Sequence, residues 1–109
     1  MSFKVSVITV CFNAEKTIRD TIESVLSQSL TDFEYIIVDG KSKDNTYGII
    51  TGFDDAFSAK GIEYKHVSEP DNGIYDAMNK GAGIASGEWI IFMNADDRFS
   101  DPEVLKDIF

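Results

Sequence analysis

One cysteine, two prolines and one histidine in 109 residues remove several functions at once. With Cys11 alone, no internal disulfide is possible, which fits a reducing compartment. A zinc site built from several thiolates and imidazoles is disfavoured by the same scarcity. Positive charge is also short: ten Lys and Arg against nineteen Asp and Glu give a formal net charge of −9. No basic stripe is present, so neither a nucleic acid nor an anionic membrane surface is an expected partner. The apolar run after Met1-Ser2-Phe3-Lys4 ends by Phe12-Asn13. It is too short for a membrane span and lacks a cleavable signal, so a soluble, cytoplasmic chain is expected. There is no G-x-G-x-x-G after the first strand and no G-x-x-x-x-G-K-[ST], which disfavours dinucleotide oxidoreductases and P-loop enzymes. A phosphate ligand on so acidic a chain needs help. Two like charges about 4 Å apart repel by roughly 4 kcal/mol at an effective dielectric near 20, and a divalent cation reverses that sign.

What is present suits one small packed domain or part of a larger one: 43% hydrophobic and 27% charged residues, with no repeat and no low-complexity tract. Val5 to Val10 is β-branched and almost wholly apolar, as in a parallel strand buried on both faces. Asn13 can cap the helix after it, whose apolar face is Ile18, Ile22, Val25 and Leu26. Phe33 to Val38 is a second strand, ending at Asp39-Gly40. Ser42 or Asp44 can cap the next helix, with Ile49, Ile50, Phe53 and Phe57 facing inward. Gly48 and Gly52 weaken that helix by about 1 kcal/mol each relative to Ala, and Gly61 can end it. Ile62 to Val67 is a third strand. After a polar turn, Ile74, Ala77, Met78, Gly81 and Ala85 mark a helix with a small-residue face, ended by Gly87. Glu88 to Met93 is a fourth strand, with Trp89 expected in the core. Ser100-Asp101-Pro102-Glu103 starts a last helix. Strand and helix alternate throughout, so the fold class is α/β, a mostly parallel sheet with helices on both faces.

In such a sheet, ligands bind beyond the carboxyl ends of the strands. Those ends carry Cys11-Phe12-Asn13, then Asp39, then Glu69 and Asp71, then Asn94, Asp96 and Asp97. Carboxylates and amides without thiolate partners suit a hard cation, Mg²⁺ or Mn²⁺, held by one or two carboxylates together with substrate phosphates. Plainer readings stand beside these. Asp39-Gly40 and Asp71-Asn72-Gly73 are ordinary turn chemistry, and adjacent acids after a strand often form only a solvated turn. Asn13 reads first as a cap, Cys11 as a small hydrophobe and His66 as structural.

Four segments, in order, resemble glycosyltransferase family 2. Val5 to Glu15 is similar to its opening strand and T-x-x-N-x-E-like segment. Val38-Asp39-Gly40-Lys41-Ser42-Lys43-Asp44-Asn45-Thr46 resembles V-D-[DG]-x-S-x-D-x-T. Ser68 to Gly81 looks like a segment of members that assemble bacterial polysaccharides. Ala85 to Asp97 resembles a G-[ED]-[WY] strand running into the D-x-D metal motif. The resemblance covers nearly the whole chain. It implies a GT-A (Rossmann-like) fold of which residues 1–109 are the nucleotide-sugar-binding portion, truncated before the acceptor portion. It implies an inverting, metal-dependent transfer from a nucleoside-diphosphate sugar, UDP-linked by expectation, to a polysaccharide or lipid-linked saccharide. The parent enzyme would be cytoplasmic, able to work at the inner face of the membrane. Val10, Cys11 and Asn13 would line the nucleoside pocket, Asp39 would hydrogen-bond the base, Asp71 would sit by the ribose or diphosphate, and Asp96 would ligate Mg²⁺ or Mn²⁺.

Three positions depart from the family pattern. Asn94 stands where the first D-x-D acid is usual, leaving it a ribose contact and leaving Asp97 to help at the metal. Met78 replaces an Arg carried by many members. The catalytic base is expected beyond Phe109. A non-catalytic nucleotide-binding module is therefore an alternative reading. A phospho-acceptor receiver-like domain is a more distant one, because its acid pair should follow the first strand, where Cys11-Phe12-Asn13 stands. On these grounds Asp39→Ala is expected to lower nucleotide affinity with little loss of fold.

Overall fold

The computed structural model describes residues 5–108; Met1-Ser2-Phe3-Lys4 and Phe109 lie outside them. The elements run β1 (Val5–Cys11), α1 (Ile18–Leu26), β2 (Glu34–Asp39), α2 (Thr46–Thr51), α3 (Asp54–Lys60), β3 (Glu63–Ser68), α4 (Ile74–Ile84), β4 (Trp89–Asn94) and α5 (Val104–Ile108). The four strands form one parallel sheet in the order β3-β2-β1-β4. Successive crossovers carry the chain outward from β1 to β3. The chain then returns across the sheet to place β4 on the other side of β1. That reversal beside β1 is the topological switch point, where the connections at the carboxyl ends diverge and leave a crevice.

Alternation along β1 and β2 splits the core into two layers. Val5, Val7, Tyr35 and Ile37 pack with α1, α2, α3 and α5 through Ile18, Ile22, Ile50, Phe57 and Leu105. On the other face, Ile8, Val10, Ile36 and Val38 pack with Ala77 of α4. Helices on both faces explain why every residue of β1 and β2 is buried. Gly81 lets α4 lie directly on the sheet: a Cβ there would meet Ile8 Cγ2 at 2.6 Å. A parallel sheet covered on both sides, with this strand order, is the GT-A arrangement expected above.

Four local expectations need correction. Asn13 does not cap α1, which begins at Ile18 with Thr17 before it and no side-chain cap; Asn13 takes a left-handed φ of 49° and its side chain turns to the neighbouring loop. The second helix is broken into α2 and α3 around Gly52-Phe53, where both residues stay in the right-handed region but the Gly52 and Phe53 N–H groups bond to Ile49 O and Ile50 O, three residues back, so that the helix tightens and changes direction. Gly87 does not end α4; Ala85, in an extended conformation, does. Gly87 serves packing instead, because a Cβ on it would come within 2.5 Å of Ser6 Oγ. Trp89 is not core: it is 60% exposed, as are Ile90 and Phe92 in large part. β4 is an edge strand, pairing only with β1 among the described residues. An apolar strand pattern reports the chemistry of the faces, not whether a neighbour lies alongside.

A polar network closes the amino edge of the sheet. Glu34 is wholly buried and accepts from Ser6 Oγ at 2.6 Å, from the Ser86 backbone N–H and from Lys65 Nζ at 3.1 Å. These donors outweigh the desolvation of the buried carboxylate and hold its pKa below the usual value.

Candidate functional site

Pairing register sets the height of the candidate residues. Cys11 lies level with Asp39, and Asp39 with Ser68. Val10 lies level with Asn94 on its other side. The strand ends therefore form one rim. Asp39 and Asn94, two strands apart, are separated by about 10 Å at interstrand spacings of about 4.8 Å.

A cleft of about 290 Å³ opens on this rim, lined by Val10, Cys11, Phe12, Asp71, Gly73, Ile74 and Ala77. It lies where β1 ends against the start of α4. Phe12 is 56% exposed at its mouth, and Ile74 and Tyr75 are exposed at the same end of α4. Gly73, at φ 113°, turns the chain into α4 in a conformation that disfavours a side chain. Asp71 is half-buried. One of its oxygens accepts the Gly73 N–H at 3.0 Å. The other lies so close over Gly40 that a Cβ there would meet it at 2.7 Å.

Asp39, level with Cys11, lies next to this cleft but does not line it, and neither do Asn13, Asn94 or Asp96. The Asp39 side chain is fully buried and accepts from the Ser42 N–H at 2.9 Å, the Ser42 hydroxyl and the Ser68 hydroxyl at 2.7 Å. Cys11 Sγ donates to it at 3.5 Å. Burial first, and then the Asp39 charge, push the Cys11 thiol far above its usual pKa. The thiol stays protonated, as a donor needs, which agrees with a structural residue rather than a nucleophile. Asn13 holds the same loop from outside: its Oδ1 accepts the Lys43 N–H at 2.8 Å, and its own N–H donates to Ser42 Oγ at 2.7 Å. Asp44 accepts from the Thr46 hydroxyl, the Thr46 N–H and the Glu15 N–H, and its pKa is lowered accordingly. The V-D-G-K-S-K-D-N-T segment is thus a loop tied to the β1 exit by side chains of both. Ser42 and Ser68 were not singled out from sequence as partners of Asp39; the only local signal was a serine three residues after a strand-ending acid.

The acidic turn after β4 behaves unequally. Asp97 bends back, its Oδ2 accepting the Asn94 N–H at 2.9 Å while its own N–H donates to Asn94 O at 3.0 Å. Asp96 is exposed and forms no side-chain hydrogen bond among the described residues. No group of three or more His, Cys, Asp and Glu among the described residues is placed to hold a metal ion. Glu69 does not join a carboxylate cluster either; Lys80 Nζ pairs with it at 3.2 Å and with Asp76 at 3.5 Å. The acids at this end of the sheet thus stand apart from one another and form no cage of protein ligands among the described residues.

The model for glycosyl transferase family 2 matches residues 6–108. The chain belongs to that family. An uncharacterized glycosyltransferase of Mycobacterium tuberculosis is 39% identical over 102 residues, which cover 93% of this chain and 37% of that protein. TarS from S. aureus, solved in complex with UDP-GlcNAc, superposes with a TM-score of 0.83 at 29% identity, over 97% of this chain and 30% of its own. The mannosyltransferase PcManGT from Pyrobaculum calidifontis, solved with GDP-Man and Mn²⁺, gives a TM-score of 0.85 over 96% of this chain and 31% of its own. At 22% identity, that likeness speaks to fold alone. The family-2 chain described here therefore spans under two fifths of the length of these relatives. No helix among the described residues is long and apolar enough to cross a membrane.

Proposed function

We propose that the chain is the donor-binding portion of a metal-dependent, inverting glycosyltransferase that uses a UDP-sugar and passes its sugar to a polysaccharide or lipid-linked acceptor. The observation that carries this reading is the convergence on one rim, in a family-2 chain, of an apolar cleft at the strand-order reversal and an exposed acid, Asp96, after β4. The UDP-GlcNAc complex of a 29%-identical structural neighbour supports the choice of nucleotide.

In this reading the base enters between Phe12 and the start of α4, over Val10 and Cys11. Asn13 serves the pocket through the loop that it braces. Asp39 lies beneath the base and meets it directly only by trading a serine partner. Asp71 faces the ribose or diphosphate, and Asn94 offers its amide to a ribose hydroxyl. Asp96 supplies the carboxylate for Mg²⁺ or Mn²⁺, and Asp97 adds its own only by releasing the Asn94 N–H. The bound cation would neutralise charge building on the departing diphosphate. The group that deprotonates the acceptor hydroxyl is assigned to sequence beyond Phe109, and acceptor recognition goes with it. A location in the cytoplasm is part of the same proposal.

Calorimetric titration of UDP, GDP and CDP, each with and without Mn²⁺, tests the reading. UDP is expected to bind best and to need the metal. Asp96→Asn is expected to weaken metal-dependent UDP binding tenfold or more, on the order of 1.4 kcal/mol. Failure of every nucleotide to bind, with or without Mn²⁺, would refute the proposal; equal binding by Asp96→Asn would remove Asp96 from the metal.

A further inference from the structure

The helix on the far side of the acidic turn does more than cover the sheet. Thr21 of α1 is 1% exposed, yet it is polar and points out of the helix. Its hydroxyl lies 2.9 Å from Ala95 O and 2.6 Å from Asp97 O. Those are the two carbonyls on either side of Asp96. The single hydroxyl proton donates to one carbonyl at a time or is shared between the two in a three-centre bond, and either way it ties the backbone around Asp96 to α1.

Two more residues, Ser24 on the same stripe of α1 and Gln28 past its end, continue the grip. Ser24 Oγ donates to Thr21 O at 2.8 Å and accepts the Phe99 N–H at 3.1 Å. Gln28, immediately beyond α1, is 1% exposed. Its Nε2 donates to Asp101 O at 2.8 Å and its Oε1 accepts the Leu105 N–H at 3.0 Å. Positions i and i+3 share one face of a helix. Two polar side chains on that face of α1, and Gln28 beyond its end, thus bind the backbone of residues 95–105 segment by segment. They bind backbone groups only, and so leave the Asp96 side chain unengaged.

We propose that Thr21 is a positioning residue for the acidic turn: by clasping Ala95 O and Asp97 O it sets the direction in which Asp96 presents its carboxylate. Ser24 and Gln28 anchor the strand of chain that follows. The inference rests on the reading of Asp96 as a metal ligand for its functional meaning, but the clasp can be measured without nucleotide or metal. An exposed acid on a loose turn would sample many directions, and the ordering would have to be supplied when the cation binds. A clasped turn is organised beforehand, which favours binding.

The experiment compares wild type, Thr21→Val and Thr21→Ser. Valine keeps the shape and removes the hydroxyl; serine restores it. Circular dichroism checks that each variant keeps the fold. Amide hydrogen exchange at Asp97 and Phe99, in the free protein, reads the clasp. Calorimetry with UDP, with and without Mn²⁺, reads its use. Thr21→Val is expected to speed exchange at Asp97 and Phe99 about fivefold or more while leaving β1 amides unchanged. It is expected to lower the metal-dependent part of UDP affinity about five- to tenfold, as the loss of one hydrogen bond implies, and to leave metal-free affinity alone. Thr21→Ser is expected to recover both. Unchanged exchange in Thr21→Val, or normal metal-dependent affinity despite faster exchange, overturns the inference. If wild type binds no nucleotide, the proposed function fails separately, and exchange still decides whether Thr21 holds the turn. A Thr21→Val chain that unfolds, with Thr21→Ser no better, also overturns it, since the hydroxyl would then not be the operative group.

Discussion

Glu34 offers the sharpest test of how this fold is held, because a fully buried carboxylate is satisfied here by three donors. Replacing it with Gln keeps the size and one acceptor oxygen. The amide NH₂, however, then faces Ser6 Oγ or Lys65 Nζ, both donors toward this site. Hydrogen bonds to a charged group contribute about 1.5–3 kcal/mol, and a buried donor left unmatched costs about 1–3 kcal/mol. The Lys65 side chain is 38% exposed, so its share is discounted towards the surface range of about 0–1 kcal/mol. Glu34→Gln should therefore destabilise the chain by about 2 kcal/mol at pH 7, a drop in Tm of about 8–16 °C for a domain of this size. The sign with pH follows from the lowered pKa of Glu34 in the fold. The stabilisation is complete above the unfolded-state value, about 4.3, and is lost as pH falls through the lower folded value. Urea unfolding of both proteins from pH 7 to pH 3 should show a constant gap down to about pH 5 that narrows below about pH 4. Equal stabilities at pH 7, or a gap that fails to narrow in acid, would refute the accounting.

Three further outcomes follow from described contacts. Asp39→Ala should destabilise the chain by about 2–4 kcal/mol, and not with the small loss of fold expected from sequence, because Asp39 is buried and the Ser42 N–H and the Ser42 and Ser68 hydroxyls lose their common acceptor; a variant as stable as wild type in urea would contradict that burial. Gly81→Ala gains about 1 kcal/mol of helix propensity but drives a methyl into Ile8, where overpacking costs about 1–3 kcal/mol; a net loss near 1 kcal/mol is expected by thermal melting, and a stabilised variant would contradict the close approach of α4. Cys11, buried and with its thiol pKa raised, should resist iodoacetamide at pH 8 in the native state and react readily in urea; rapid native labelling would show the thiol to be open.

Much of this was legible beforehand, and the exceptions share a cause. Val5 to Val10 and Phe33 to Val38 announced themselves because parallel strands covered on both faces are nearly all apolar. Phe33 to Val38 nevertheless hid Glu34, since a single acid in such a run cannot be distinguished from an exposed strand start without its partners. Asn13 follows the local rule for a helix cap, but a tertiary contact with Lys43 and Ser42 wins. Trp89 looked like core because its strand is apolar; its exposure depends on what lies beside β4, which no local pattern encodes. The candidate rim was readable from strand ends alone. Its internal assignments were not: Asp97 spends its carboxylate on Asn94, Glu69 pairs with Lys80, and Thr21 looked like one more polar residue between the apolar positions of α1.

The strand order also dictates how the rim comes together. Ser6 meets Glu34 28 residues away but meets Gly87 at a separation of 81, and tripling a closure length adds about 1 kcal/mol of chain entropy. β4 joins a sheet that β1, β2 and β3 can build by nearer crossovers; among the described residues it pairs with β1 alone, and the turn after it is tied to α1 through Thr21. Under mild stress β4 should therefore part from β1 before β2 does, and the tie from Thr21 to the turn after Asn94 is what delays that parting.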